Sequence, residues 1–211
     1  VDGINGWQSA VFGPAGHHTA IWGGRHYAEI QILDLGLTQG VFIGVVGEGF
    51  DPSTPGPMNR KGGEEASESD VGWMIDVSGR LNHKGGALKH VGGEYPLPWA
   101  AGAEEEGGCG MGARAEAFAP GSRLGLLVDL RPHRRSVAVY RNGKRVGLVV
   151  PSGLRAPMRW AVSLYMEASV RIVKTAELPV DVSDAQHARE AKRTIELVAA
   201  DESARHFGFT H

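Results

Sequence analysis

The side chains in this sequence that could do chemistry are few and scattered. Asp129 stands inside an otherwise hydrophobic run, Leu124–Leu130, where a carboxylate is a candidate catalytic acid. Nine histidines raise the question of a metal: His17 and His18 are adjacent, and His83 and His90 fall in consecutive short strand candidates. None joins a set with the clustered ligand spacing of a zinc site, so neither a metal nor any other cofactor is expected. Cys109 is the single cysteine. It lies in a flexible acidic insert with no histidine to hold it as a nucleophile. Gly121-Ser122 lacks the strand-to-helix elbow that activates a hydrolase serine. The glycine-rich loops precede strands rather than helices, which argues against phosphate cradles. Arg131, His133, Arg134 and Arg135 form the one dense basic cluster. It sits at a strand-to-strand corner, where a solvated turn is the plain reading and a phosphate contact the sharper one. No catalytic set emerges, and the chain reads as a non-enzyme.

Length and composition bound the rest. At 211 residues the chain fits one large β domain, or one with an appendage. A domain of this size buries roughly 70% of the surface its unfolded chain exposes. With one cysteine there is no internal disulfide, which favours a reducing compartment and an intracellular, cytoplasmic location. Net charge is −2, so no overall field recruits nucleic acid. No apolar run is long enough to span a bilayer and no signal-like start is present, so a membrane is not an expected partner either. The first residue is Val, which suggests a fragment of a longer polypeptide.

The elements that must position any site are strands. Leu124, Leu126, Val128 and Leu130 share one face at period two, and Leu127 makes the other face partly apolar, as in the middle of a sheet. After the basic corner, Ser136–Val150 reads as a hairpin around Asn142-Gly143, a pair that accepts positive φ at both turn positions. Earlier come Trp7–Phe12, Thr19–Trp22, His26–Leu35 and Val41–Val46. Gly47–Asp70 reads as one long surface loop, a length that is functional or disordered. Val71–Val77, Arg80–Lys84 and Ala87–Val91 are further strands, and Gly92–Trp99 an irregular connection. Ala100–Gly112 is a low-complexity insert that cannot form a core. Arg114–Phe118, Met158–Tyr165 and Ser169–Thr175 complete the strands, the last two joined by Met166-Glu167-Ala168. After Pro179 the period changes. Ser183 or Asp184 caps a helix of about 20 residues, with Ala188, Ala191, Ile195 and Val198 as its apolar stripe.

In this order and spacing the motifs resemble the SPRY domain family, from about Gly24 to Ala176. They are Gly24-Arg25-His26-Tyr27-Ala28-Glu29-Ile30, Phe42-Ile43-Gly44-Val45, Gly72-Trp73 and Leu81-Asn82-His83-Lys84-Gly85. They continue with Leu124–Leu130, Val137–Gly143, Ala161-Val162-Ser163-Leu164 and Val170-Arg171-Ile172. The resemblance implies an all-β fold: a bent, concanavalin-like sandwich of two antiparallel sheets over residues 1–178, with a C-terminal amphipathic α-helix and tail over 179–211. It also implies a protein-interaction module that holds a protein or short peptide in loops at one end. Carried over by position, those loops are Gly13–Gly24, Gly47–Asp70, the connection around Tyr95–Trp99, and Tyr165-Met166-Glu167. Tyr165, Met166, Tyr95 and Trp99 would supply apolar contact, and Arg60, Lys61 or Glu167 a polar rim. The expected binding face joins Gly47–Asp70 to Tyr165–Glu167. Asp129 becomes a structural carboxylate under this reading; Trp73 and Trp160, which lie in strands, are expected in the core. Burial and binding are both open for Trp22 and Trp99, which border loops. Two alternatives share the fold: the substrate-recognition part of a ubiquitin-ligase assembly, and a carbohydrate-binding sandwich.

Overall fold

Along β2 (Arg25–Asp34) Ala28, Ile30 and Ile32 are buried while Glu29, Gln31 and Leu33 are not, the alternation of a strand with one face in a core. A computed structural model places this strand, describing residues 7–14, 20–36, 40–52, 71–77, 80–83, 93–96, 118–173 and 177–207. The other strands are β1 (Trp7–Phe12), β3 (Val41–Val46), β4 (Gly72–Asp76), β5 (Arg80–His83) and β6 (Gly93–Pro96). They are followed by β7 (Arg123–Asp129), β8 (Ser136–Arg141), β9 (Lys144–Val150), β10 (Arg159–Tyr165) and β11 (Ser169–Val173). One helix, α1 (Asp184–Phe207), ends the described chain.

Two antiparallel sheets result, ordered β1-β10-β3-β4-β5-β6 and β11-β2-β7-β8-β9. Their inner faces meet in one apolar core. The six-stranded sheet contributes Ile43, Val45, Ile75, Leu81, Trp160 and Val162, and the five-stranded sheet Ile30, Leu124, Leu126, Val128, Val137 and Val139. Trp160 is buried against Phe12, with ring centroids 5.7 Å apart. Trp73 is only half-buried, packs on the edge of the same core and stacks on His83 at 4.6 Å. The Asn142-Gly143 turn has positive φ at both positions, 50° and 77°, as the hairpin reading requires.

Two readings change. Gly92–Trp99 was expected to be irregular, yet Gly93–Pro96 pairs with β5, from His83↔Gly93 to Arg80↔Pro96. It is the edge strand of its sheet, and proline is tolerated at such an edge, where its missing N–H breaks no central ladder. Of the expected strand Thr19–Trp22, the described residues 20–22 hold a single bridge, Ile21↔Met158. The strands expected at Ala87–Val91 and Arg114–Phe118 lie outside the described residues, except that Phe118 is buried and its N–H reaches the Val77 carbonyl.

The helix lies on the outer face of the five-stranded sheet, beside β9. Leu127, Ala138, Tyr140 and Leu148 form an outer apolar cluster there, with Tyr27 and Ala191 packed against it. The expected stripe is only partly used. Ala191 makes that contact, whereas Ala188 faces solvent and Ile195 is 55% exposed. The docked face is polar instead. Thr194 Oγ1 donates to the Leu148 carbonyl at 2.7 Å, and Arg145 grips the Glu190 carboxylate through Nε and Nη2. The reason lies in the sheet, whose outer cluster carries Arg145 and the phenol of Tyr140, bonded to each other at 3.0 Å. Polar groups entering this face must be paired, and the helix brings their partners.

Candidate functional site

Strand registers sort the loops between two ends of the sandwich. Val46 pairs with Arg159 while Val41 pairs with Leu164, so the chain after β3 and the turn after β10 leave at opposite ends of the same ladder. Six residues at about 3.3 Å each put those ends nearly 20 Å apart. At one end, here the hairpin end, lie Leu35–Gly40, the Asn142-Gly143 turn, the exit from β6 past Pro96, and Met166–Ala168. At the other, the corner end, lie the β1–β2 connection, both roots of the β3–β4 loop, the corner Leu130–Arg135, and Pro151–Met158. Gly47 N–H bonds the Val71 carbonyl at 2.8 Å, which closes the root of the β3–β4 loop at the corner end.

The expected face joins two connections whose described roots lie at opposite ends, and residues 53–70 of the first lie outside the described residues. Gly47–Asp70 and Tyr165–Glu167 are not rooted together, because an antiparallel ladder sends successive connections to alternate ends. Arg60, Lys61 and Trp99 lie outside the described residues. Tyr95 stands opposite Leu81 in β6, one residue from the hairpin end of that strand. Tyr165, Met166 and Glu167 are all at the hairpin end. Tyr165 is half-buried and its N–H bonds the Gly40 carbonyl at 2.8 Å, while Glu167 is exposed. Met166 is 39% exposed and has φ of 51°. A non-glycine residue held in that left-handed region is uncommon and strained, and such residues gather at functional positions. The turn is locked by Ala168, whose N–H returns to the Tyr165 carbonyl and whose backbone packs on Gly36. Leu33, 40% exposed, lies on the strand just below.

The buried polar side chains among the described residues are engaged in internal bonds. Asp129 receives the backbone N–H of Arg131 and a two-pronged grip from the same guanidinium, with Nη2–Oδ2 at 2.6 Å. It is the structural carboxylate that the resemblance implied. Ser136 and His187 come within 3.1 Å, which invites comparison with a serine–histidine pair. The comparison fails on geometry. Ser136 is almost wholly covered, and the Asp129 carboxylate is turned to Arg131 rather than held to the imidazole. Burial and the nearby Arg134 and Arg145 push the His187 imidazole below its usual range, which favours the neutral ring. Ser163 bonds Ser9, and His83 Nδ1 lies 2.6 Å from the Gly72 carbonyl.

The basic corner is a clamp, which sequence reading missed. Arg131 pairs with Asp181 at 2.7 Å, Arg134 with Asp184 at 2.6 Å, and Arg25 donates to the Pro179 carbonyl at 2.8 Å. These contacts bind the connector between β11 and α1 to the corner end. Bonding to Arg131 holds the Asp181 carboxyl below the usual range, against the opposing effect of burial. The two carboxylates lie about fifty residues further along the chain, beyond the reach of local pattern. Trp22, also undecided from sequence, is 73% exposed at this end.

No family model and no curated protein matches the chain. Solved structures do. The SPRY domain of human HERC1 is 14% identical, with 80% of this chain and 82% of that one covered and a TM-score of 0.50. A second human SPRY domain is also 14% identical, over 82% and 88% of the two chains, with a TM-score of 0.54. The two antiparallel sheets described here, packed face to face through one core, are the fold of SPRY domains.

Proposed function

We propose that this chain is a non-enzymatic recognition module that binds a protein or short peptide through the hairpin end of its sandwich. The observation that carries the reading is Met166, presented to solvent at the tip of a turn whose backbone is strained and locked from both sides. Methionine is unbranched and polarizable, so it adapts to an apolar partner surface. Tyr165, Glu167 and the Tyr95–Trp99 connection flank it in this reading, and Arg60 and Lys61 remain its proposed polar rim, on a loop whose described roots lie at the other end. The non-enzymatic part is supported by the buried polar groups described above, which are engaged in internal bonds. The finer reading, substrate selection within a ubiquitin-ligase assembly, would use the same face. It would draw its catalytic partner from a separate element, since α1 packs on its own sandwich.

The test begins with selection of peptides from a display library on the immobilised chain, followed by calorimetry with the synthetic peptide. Met166→Asp should weaken binding by about 2 kcal/mol or more while leaving the circular dichroism spectrum unchanged. Equal affinity in a folded variant would sink this face.

A further inference from the structure

At the corner end three segments are stitched together by backbone hydrogen bonds. Ile21 exchanges two with Met158, at 2.7 and 2.9 Å; Leu130 N–H bonds the Gly24 carbonyl at 2.8 Å; Leu154 N–H bonds the Arg135 carbonyl at 3.0 Å. Each segment also sends an apolar anchor into the core, namely Ile21, Leu130, Leu154 and Met158. His26 Nε2 adds a bond to the Gly23 carbonyl at 2.9 Å. Connections of this kind are commonly mobile. Here Ala20–Gly24, Leu130–Arg135 and Pro151–Met158 form one fixed platform.

What this platform shows to solvent is specific. With Ile21 bonded to Met158 in antiparallel fashion, Trp22 stands across from Pro157 with its indole 73% exposed. Arg155 follows two residues away, at most about 8 Å of chain, and Arg135 lies next to it through the Leu154 bond. Arg135 is a second strained non-glycine residue, with φ of 46°, and its guanidinium is steadied by the Leu154 carbonyl at 3.3 Å. His133 is exposed on the same corner. The three segments contain no carboxylate. The acids of the C-terminal connector, Asp181 and Asp184, pair with Arg25, Arg131 and Arg134. Among the described residues, Arg135 and Arg155 have no ion-pair partner.

We infer that this platform is a second binding surface, and that it takes an acidic peptide segment carrying an apolar side chain. The apolar side chain packs on the Trp22 indole, and carboxylates pair with Arg135 and Arg155. Tryptophan and arginine are the residues that most often dominate binding energy, and arginine matches carboxylate geometry with two parallel N–H bonds. A rigid platform loses little freedom when it binds, so few contacts suffice. The surface is independent of Met166, which lies at the other end of the strands.

The probe is a fluorescein-labelled twelve-residue peptide with six glutamates around a central Leu-Phe pair, compared with the same peptide carrying glutamine for glutamate. Fluorescence anisotropy with the full chain should show binding of the acidic peptide, weakening with added salt, and at least tenfold weaker binding of the glutamine peptide. Trp22→Ala and Arg155→Glu should each weaken the acidic peptide at least tenfold without changing the melting temperature, since both side chains project from a buried backbone frame. Arg135→Asn, which tolerates the left-handed backbone, should weaken it as well. Met166→Asp should leave it unchanged, which separates this surface from the hairpin-end reading. Any of the following overturns the inference: no binding of the acidic peptide, equal binding of the two peptides, indifference of folded W22A and R155E, tighter binding of a DNA oligonucleotide or anionic vesicle through the same residues, or a neutral glycan held by Trp22 instead.

Discussion

Arg134 Nη2 lies 2.6 Å from Asp184 Oδ1, joining an almost fully buried guanidinium on the corner between β7 and β8 to the first residue of α1. The partners are unequal. The Arg134 side chain is 4% exposed and that of Asp184 85%. Removing the carboxylate leaves a buried cation with only the Val182 carbonyl, whereas removing the guanidinium leaves an aspartate in water at a helix N-terminus, where it is welcome.

Asp184→Ala should therefore destabilise the fold by about 1–3 kcal/mol, and Arg134→Met by less. Urea melts of both variants and of the double variant would measure the difference. Equal losses would show that the pair acts as an ordinary surface ion pair.

Docking of α1 depends on one buried hydroxyl. Thr194→Val keeps the shape and removes the hydroxyl's bond to the Leu148 carbonyl, at a cost of about 1–2 kcal/mol. Ile195→Ala, at a neighbouring but exposed position, should stay within about 0.5 kcal/mol. Hydrogen exchange in α1 should rise for the first variant and not for the second.

Acid should loosen the helix in two stages. The His187 ring, facing Arg134, Arg145, Asp129, Glu190 and Ser136, is pushed below its usual range by burial and then by the two arginines. Folding therefore resists its protonation, and stability falls as pH drops below about 6.5 toward the lowered folded value. Burial alone would raise the Glu190 carboxyl, but bonds from Arg145 and Gln186 outweigh it and hold it low, as Arg131 does for Asp181. Those contributions are present above about pH 4 and are lost as pH falls through the folded values. Thermal melts across pH should show both stages. His187→Asn should flatten the upper one alone.

Met166→Gly separates stability from recognition. Glycine relieves the left-handed strain, so the melting temperature should hold or rise, by up to about 1 kcal/mol in stability. Affinity for the selected peptide should fall. A variant that loses stability instead would show that the turn depends on the methionine side chain as a packing group.

Two glycines mark where backbones or rings cross. A Cβ on Gly44 would meet the Trp73 carbonyl and lie 2.8 Å from the Cα and Sδ of Met74, in the middle of the six-stranded sheet. Gly44→Ala should cost about 3 kcal/mol or more, because strand backbone cannot swing aside. Gly125→Ala would meet the Tyr27 phenol, a side chain packed on Tyr140 and bonded to Glu29. It should cost about 1–3 kcal/mol. Chemical denaturation gives the order directly.

The sheets were legible because their signals are local. Val41–Val46 comes from a nearly continuous apolar run, and the Ser136–Val150 hairpin and the turn after Tyr165 from alternation and turn chemistry within a few residues. The helix was legible as a helix, but its docking face was not. His187, Glu190, Ala191 and Thr194 recur at three- and four-residue spacing, yet three of them are polar, and a search for apolar stripes passes over them. The clamp at the corner was hidden for a different reason, since Arg131 and Arg134 meet carboxylates distant in sequence. Trp22 could be named but not placed, because exposure next to Gly23-Gly24 depends on where Met158 arrives.

Strand β10 runs between β1 and β3, starting beside Met158 and finishing at Tyr165. It thus acts as a caliper. Its seven residues set a separation of a little over 20 Å between whatever sits at its two ends, with no hinge between them. Two occupants, one at each end, would neither collide nor compete. A single polypeptide could touch both only by spanning that fixed length along the side of the sandwich, which makes the distance itself a criterion for choosing partners.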